Sequence, residues 1–159
     1  TDLANNLGNL VARVATVVGS KCGGVSPASR DESPLRSEAA TAVAASAAAW
    51  ESFAPHAALE ATWRLIGATN AYLEQHAPWK MEPGASVDAV MGDALEALRI
   101  ITVLIVPAMP STAQEIWRRL GLPGDVRDVG LTATSWGGFP VGATVTKGVP
   151  LFPRISANL

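Results

Sequence analysis

Four polar residues recur near the start of the chain: Asn6, Asn9, Arg13 and Thr16, spaced by three, four and three positions. On a helix this spacing puts them along one flank, and Asn9 and Arg13, four apart, stand one above the other. A solvated helix face usually carries lysine and glutamate, which suit helices, and asparagine is a costlier choice there. An amide beside a guanidinium offers the donors and the acceptor that match the edges of nucleobases. An ordinary solvated face is the competing reading, and on spacing alone it is the commoner one.

A second feature lies in Glu74-Gln75-His76-Ala77-Pro78-Trp79-Lys80. Pro78 stops a helix, because its ring removes a donor and crowds the preceding turn. A polar loop residue is expected next, and a tryptophan stands there instead. Trp79 either folds back onto the core, the usual fate of a tryptophan, or is held out as a platform. Unstacked RNA bases are read by stacking on aromatics and by hydrogen bonds to their edges. A proline-fixed tryptophan next to an asparagine and arginine stripe would supply both. Asn70 falls within an apolar stripe, beside Ile66 and Leu73, so its amide needs a partner. A bond to a neighbouring helix is the simpler role for it.

Nothing else assembles into a reaction centre. His56 and His76 stand apart, without cysteines or carboxylates at metal-ligand spacing. Lys21-Cys22-Gly23-Gly24 lacks the context and spacing of a phosphate loop, and no nucleophile elbow occurs. His76 suits the C-terminal end of a helix, facing its last carbonyls. No catalytic residue and no metal ligand is assigned.

The elements that must position these residues are helical. Leu3, Leu7, Leu10, Val14 and Val17 give one apolar face to a helix from Asp2 to Ser20. Val25 to Arg36 holds prolines, serines and mixed charges and reads as an exposed loop. An alanine-rich helix over Glu38 to Phe53 allows close neighbours. A third helix, His56 to His76, is apolar over most of its circumference, with Glu60, Arg64, Ala71, Glu74 and Gln75 marking its solvent arc. Ser86 is placed to cap a fourth helix running to Val106, with Asp88 favourable in its first turn. That helix is the most hydrophobic and is expected at the centre. Pro110 suits the first turn of a fifth helix ending at Leu120-Gly121. The expected fold is therefore all-α. Residues 1–121 form a bundle of about five helices, and 122–159 form a Gly/Pro-rich tail with at most a short β hairpin. That tail, with β-like pieces at Thr144-Val145-Thr146 and Leu151-Phe152, is expected to pack on the bundle or on a neighbouring domain.

The composition is consistent with this. The chain of 159 residues is 48% hydrophobic and only 16% charged, which suits a well-buried bundle. A net charge of −2 is not that of a non-specific nucleic-acid binder, so contact with RNA must come from a local, shape-specific patch. The single Cys22 excludes an intrachain disulfide and fits a reducing, cytoplasmic setting. The longest apolar run, Ile100 to Val106, is too short to span a bilayer, so no membrane is expected as a partner.

Several stretches resemble the C-terminal domain of bacterial methionyl-tRNA synthetase. They begin with Leu3-Ala4-Asn5-Asn6-Leu7-Gly8-Asn9-Leu10-Val11-Ala12-Arg13 and Asn70 through Lys80. Ala97-Leu98-Arg99-Ile100, Pro107-Ala108-Met109-Pro110, Ile116-Trp117 and Leu120-Gly121 continue the match, and Lys147 through Ile155 resembles the family's closing segment. The resemblance covers nearly the whole chain in order, departing at Val25–Arg36 and Val126–Gly138. It implies an anticodon-binding helical bundle. In that family an asparagine and, four positions later, an arginine contact anticodon bases, and these match Asn9 and Arg13. An Ala-Pro-Trp motif supplies the tryptophan on which the first anticodon base, a cytosine, stacks, and this matches Trp79. Asn6, Asn70 and Pro78 are candidates for further RNA contacts or support.

The resemblance further implies that this chain is a piece of a methionine–tRNA ligase, with tRNA bearing the methionine anticodon and the enzyme's own catalytic domain as partners. ATP, and any metal ion, would belong to that catalytic domain, whose His-Ile-Gly-His-like and Lys-Met-Ser-Lys-Ser-like signatures do not occur here. No cofactor is expected in this piece. The rival readings are the corresponding domain of another class I synthetase, such as the leucine or valine enzyme, a free-standing helical interaction module, and a small-molecule enzyme with a polar pocket in the bundle.

Overall fold

Helix starts in this chain are set largely by proline. A computed structural model describes residues 2–152, so Pro153, Arg154 and Ile155 of the closing segment lie outside the described residues. Five α-helices succeed one another: α1 (Asp2–Lys21), α2 (Pro34–Glu51), α3 (Pro55–His76), α4 (Ala85–Ile105) and α5 (Pro110–Arg119). Three of them, α2, α3 and α5, begin on proline, whose fixed φ suits the first turn and whose missing N–H would have no helical partner there. Short 3₁₀ turns occupy Pro78–Lys80, Val126–Asp128 and Leu131–Ala133.

The helix α2 starts four residues before the expected Glu38. Ser33 caps it, its hydroxyl accepting from the Leu35 amide at 3.2 Å, and Pro34 takes the first position; serine followed by proline is itself a start signal. Ser86 does not cap α4. The N-cap is Gly84, without a side-chain bond, and Ser86 lies inside the first turn. Asp88 does sit in that first turn, as the sequence suggests.

The central element is α4: every residue from Val90 to Ile105 is buried. The apolar face of α1, with Leu7, Leu10, Val14 and Val17, packs into the same core as Leu65, Ile66 and Leu73 of α3. Small residues on α2 (Ala39, Ala42, Ser46, Ala49) and on α3 (Ala58, Ala61) are buried, and side chains of that size let two helix backbones come close.

The helix α4 also carries three buried charges to which the sequence reading assigns no role. Asp93, Glu96 and Arg99 lie three apart and are at most 4% exposed. Glu96 pairs with Arg99, Nε to Oε1 at 2.7 Å and Nη2 to Oε2 at 2.9 Å. Glu96 Oε2 also accepts from the amides of Gly137 and Gly138, while Arg99 donates to the carbonyls of Ala133 and Ser135. Asp93 accepts from the Arg30 amide and guanidinium and from the Tyr72 hydroxyl. A buried charge is costly unless it is paired and hydrogen-bonded, and each of these is.

These charges tie down two segments, Val25–Arg36 and Val126–Gly138. The stretch Val25–Arg36 is not simply an exposed loop. Ser26 is 1% exposed, and its hydroxyl donates to the Pro140 carbonyl at 2.6 Å. The Trp136 indole donates to the Arg30 carbonyl at 2.9 Å, joining this stretch to the second segment. Gly92 permits the contact: a Cβ there would lie 2.0 Å from the Ala28 carbonyl oxygen.

No strand forms among the described residues, within the expectation of at most a short hairpin, and the only β pairing among them is an isolated antiparallel bridge between Val25 and Thr144. The Thr144–Thr146 piece thus pairs with the α1–α2 connection and not with Leu151-Phe152. Its close approach needs Gly121, at φ +74°, where a Cβ would sit 2.3 Å from the Thr144 carbonyl oxygen. Phe139 and Val145 join the hydrophobic core.

Candidate nucleic-acid interface

The candidate site lies where the polar flank of α1 crosses the C-terminal end of α3. Its anchoring is local. The α3 helix ends at Ala77, which adopts a left-handed conformation (φ 46°) and donates its amide to the Leu73 carbonyl at 2.8 Å. The chain then reverses through a single 3₁₀ turn, with Lys80 N–H to the Ala77 carbonyl at 2.9 Å and Met81 N–H to the Pro78 carbonyl at 3.1 Å. Pro78 is buried and Trp79 remains 37% exposed. The proline therefore seals the helix end, and the indole stays on the surface rather than folding into the core.

Arg13 reaches Trp79 from α1. Its guanidinium carbon is 4.8 Å from the ring centroid, within cation–π range. Its Nη2 is also 2.6 Å from Glu74 Oε1. A recess of about 300 Å³ opens beside the ring, lined by Ala12, Arg13, Thr16, Val17 and Trp79. That is the small end of ligand pockets, which run from about 300 to 1,000 Å³. The lining is aliphatic and aromatic, with the guanidinium as its charged group. The Thr16 hydroxyl is spent on its own helix, donating to the Ala12 carbonyl at 2.8 Å.

Asn9 does not line this recess. It is exposed one turn earlier and borders a larger concavity of about 860 Å³, shared with Asn5, Gly8, Arg119 and the Lys147–Phe152 segment. Ala12 borders both spaces, so the two form neighbouring compartments on one side of α1. Asn6 and Asn70 meet at the α1–α3 seam, the Asn70 amide donating to the Asn6 carbonyl at 3.3 Å. The Asn70 side-chain oxygen is buried and accepts no bond. The structure thus brings Arg13 and Trp79 together, keeps Asn9 beside them, and places Asn6 and Asn70 at the seam.

Glu74 is the contact that sequence reasoning misses. Its position on the helix assigns it to the solvent arc of α3, and it is exposed, yet it reaches across to α1. Only the crossing of two helices, 61 positions apart along the chain, makes that pair visible. Beneath it, Tyr72 fixes the end of α3. Its ring centroid lies 4.4 Å from that of His76, and its hydroxyl donates to Asp93 and accepts from Arg30. Burial, reinforced by the Asp93 carboxylate, pushes the Tyr72 hydroxyl up to about 12. Among the described residues no cluster of histidine, cysteine and carboxylates is placed to hold a metal ion, and no helix is long and apolar enough to cross a membrane.

Comparison with known proteins gives this arrangement a context. No protein-family model matches the chain. Curated relatives do. The chain is 36% identical, over 98% of its length, to methionine–tRNA ligase of Streptomyces coelicolor. It is 34% identical over 97% to that of Enterococcus faecalis, and 33% over 99% to that of Bacillus subtilis. It spans 32%, 24% and 25% of those relatives, no more than a third of their length. Among solved structures, Mycobacterium tuberculosis methionyl-tRNA synthetase in complex with methionyl-adenylate matches 97% of this chain and 32% of its own. The TM-score is 0.79 at 30% identity. The apo form of the same enzyme gives 0.76 at 28%. By sequence and by fold together, the chain belongs with the methionyl-tRNA synthetases, as the counterpart of their C-terminal part.

Proposed function

We propose that this chain reads the anticodon of tRNA on behalf of a methionyl-tRNA synthetase, with Trp79 as a stacking platform and Arg13 and Asn9 as groups that address base edges. The observation that carries this reading is the surface position of Trp79, with Arg13 against its ring and an apolar recess at its side. A base entering that recess would stack on the indole, a contact every base can make through its π face. Selectivity would then come from hydrogen bonds. Arg13 carries five N–H donors in a planar fork, and Asn9 supplies a donor and an acceptor one turn away. Asn6, Asn70 and Pro78 support the seam and the turn behind these groups.

Within such an enzyme this part makes no bond. Activation of methionine with ATP and its transfer to tRNA would be the work of the portion of the relatives that this chain does not span, and that portion and tRNA are its partners. Such an enzyme works in the cytoplasm.

The test is binding of a synthetic anticodon stem-loop carrying CAU. Base–aromatic stacking contributes about 1–3 kcal/mol per base, so Trp79→Ala should weaken binding by about five- to a hundredfold. Its thermal unfolding should stay close to that of the parent, since the ring is surface-exposed. Equal affinity of the two proteins, or a large loss of stability with normal binding by the folded fraction, would sink this reading.

A further inference from the structure

Trp79 already carries a protein group against its ring in the free protein. The recess beside the ring is bounded by α1 residues Ala12, Arg13, Thr16 and Val17, and the Arg13 guanidinium carbon lies 4.8 Å from the ring centroid. Because Arg13 borders the recess as well as the ring, a base that entered there would compete with the guanidinium for the indole. Arg13 is not held there by the ring alone, because Glu74, reaching across from α3, grips it at 2.6 Å. Cation–π contacts and ion pairs at a surface are individually weak, so the arrangement is firm enough to define a resting position and weak enough to be displaced.

We propose that Glu74 and Arg13 form a latch that holds the guanidinium against Trp79 until a base displaces it. This rests on the reading of Trp79 as a stacking platform. Binding is then an exchange: Arg13 leaves the ring face and Glu74, the base takes the ring, and the freed N–H groups turn to the base edge. Opening the latch costs part of the binding energy of every RNA, and only one that gives Arg13 a new acceptor recovers it, which links stacking to edge recognition. Glu74 has a second effect to separate from the latch. Its side chain is 66% exposed, and its charge would repel RNA directly. The two effects separate cleanly, because only the latch requires Arg13.

Two measurements test this. In the absence of RNA, protein labelled with 5-fluorotryptophan gives a fluorine NMR resonance for Trp79, assigned by its disappearance in Trp79→Phe. Glu74→Gln and Arg13→Ala should shift that resonance in the same direction, and the double variant should shift it no further than Arg13→Ala alone. With the CAU stem-loop, Glu74→Gln should tighten binding by about two- to fivefold, the range of a surface ion pair, and the gain should vanish in the Arg13→Ala background. A Trp79 resonance unmoved by Glu74→Gln overturns the latch, as does weakened binding by that variant. A gain that survives without Arg13 also overturns it and assigns Glu74 to direct repulsion. If Arg13→Ala leaves no measurable binding, the fluorine comparison decides alone. If the parent protein binds no stem-loop, the platform reading has failed, and the fluorine result still judges whether the latch exists.

Discussion

On α4, Asp93, Glu96 and Arg99 are buried, and the chain itself supplies their partners: Arg30 and Tyr72 for Asp93, the Gly137 and Gly138 amides for Glu96, and two carbonyls for Arg99. On α1, Asn6, Asn9 and Arg13 are at the surface, and Arg13 engages one carboxylate and one ring while most of its donors stay open. Both helices place polar groups at helical spacing on one flank. The difference is saturation. Polar groups whose bonds are completed from within hold the fold, and polar groups with unspent donors beside an apolar recess are equipped for something that arrives from outside.

The largest effect that could break this contrast comes from α4. Removing one member of a buried pair leaves the other charge uncompensated and costs about 3–5 kcal/mol. Arg99→Ala should therefore lower the denaturant midpoint steeply by stranding Glu96, while stem-loop affinity per folded molecule stays unchanged. A loss below about 1 kcal/mol would show that the α4 network does not hold the fold. A smaller effect, of opposite kind, belongs to α1. Arg13→Lys keeps the charge and loses the planar fork, so stem-loop affinity should fall by about 1–3 kcal/mol, the value of a good bidentate base contact. Stability should move by no more than about 0.5 kcal/mol, as for other surface substitutions. If the two variants exchange these signatures, the criterion of saturation fails.

The smallest effect sharpens the contrast at α5, where a polar cluster that runs from exposed Arg118 to buried Arg119 is internally paired. Hydrogen bonding from Arg118, with Arg119 adding to it, holds the Glu115 carboxyl down at about 2, against 4.5 for the free group. A carboxyl lowered on folding adds stability that is complete above its unfolded pKa and is lost as pH falls toward the folded one. Acid titration of the melting temperature should accordingly show a modest decline between about pH 4.5 and 2, and Glu115→Gln should flatten it. RNA binding at neutral pH should not respond.

The helices are legible because their signals are local. Leucines at helical spacing mark α1, and Pro55, Pro78 and Pro110 punctuate the later boundaries. Asn9, Arg13 and Trp79 are legible as candidates for the same reason, since type and spacing are properties of a short stretch. Pairings across the chain are not. Glu74 meets Arg13 only because α1 crosses α3, and no periodicity announces which exposed residues face each other. The α4 charges leave a trace in the sequence: three ionisable residues, three apart, inside an otherwise apolar helix expected at the centre. A central helix cannot leave such groups unpaired, but which segments supply the partners is settled only by the fold. Ser33-Pro34 is likewise a readable helix start, obscured by the prolines and charges around it.

Ala77 holds a left-handed conformation that glycine adopts without penalty and that costs a residue with a Cβ about 1–2 kcal/mol. A glycine there would ease the turn and would also let the following residues wander. With alanine at the turn and the ring of Pro78 fixing the next φ, the backbone that carries the indole has few conformations to lose. Ordering on binding costs about 0.5–1.5 kcal/mol for a side chain, and a turn set during folding removes the backbone's share of such a cost. On the proposed reading of Trp79 as a platform, the strain at one alanine would be converted into residence time on the ring: a platform that is already aimed would release its base more slowly than one that must be caught and held.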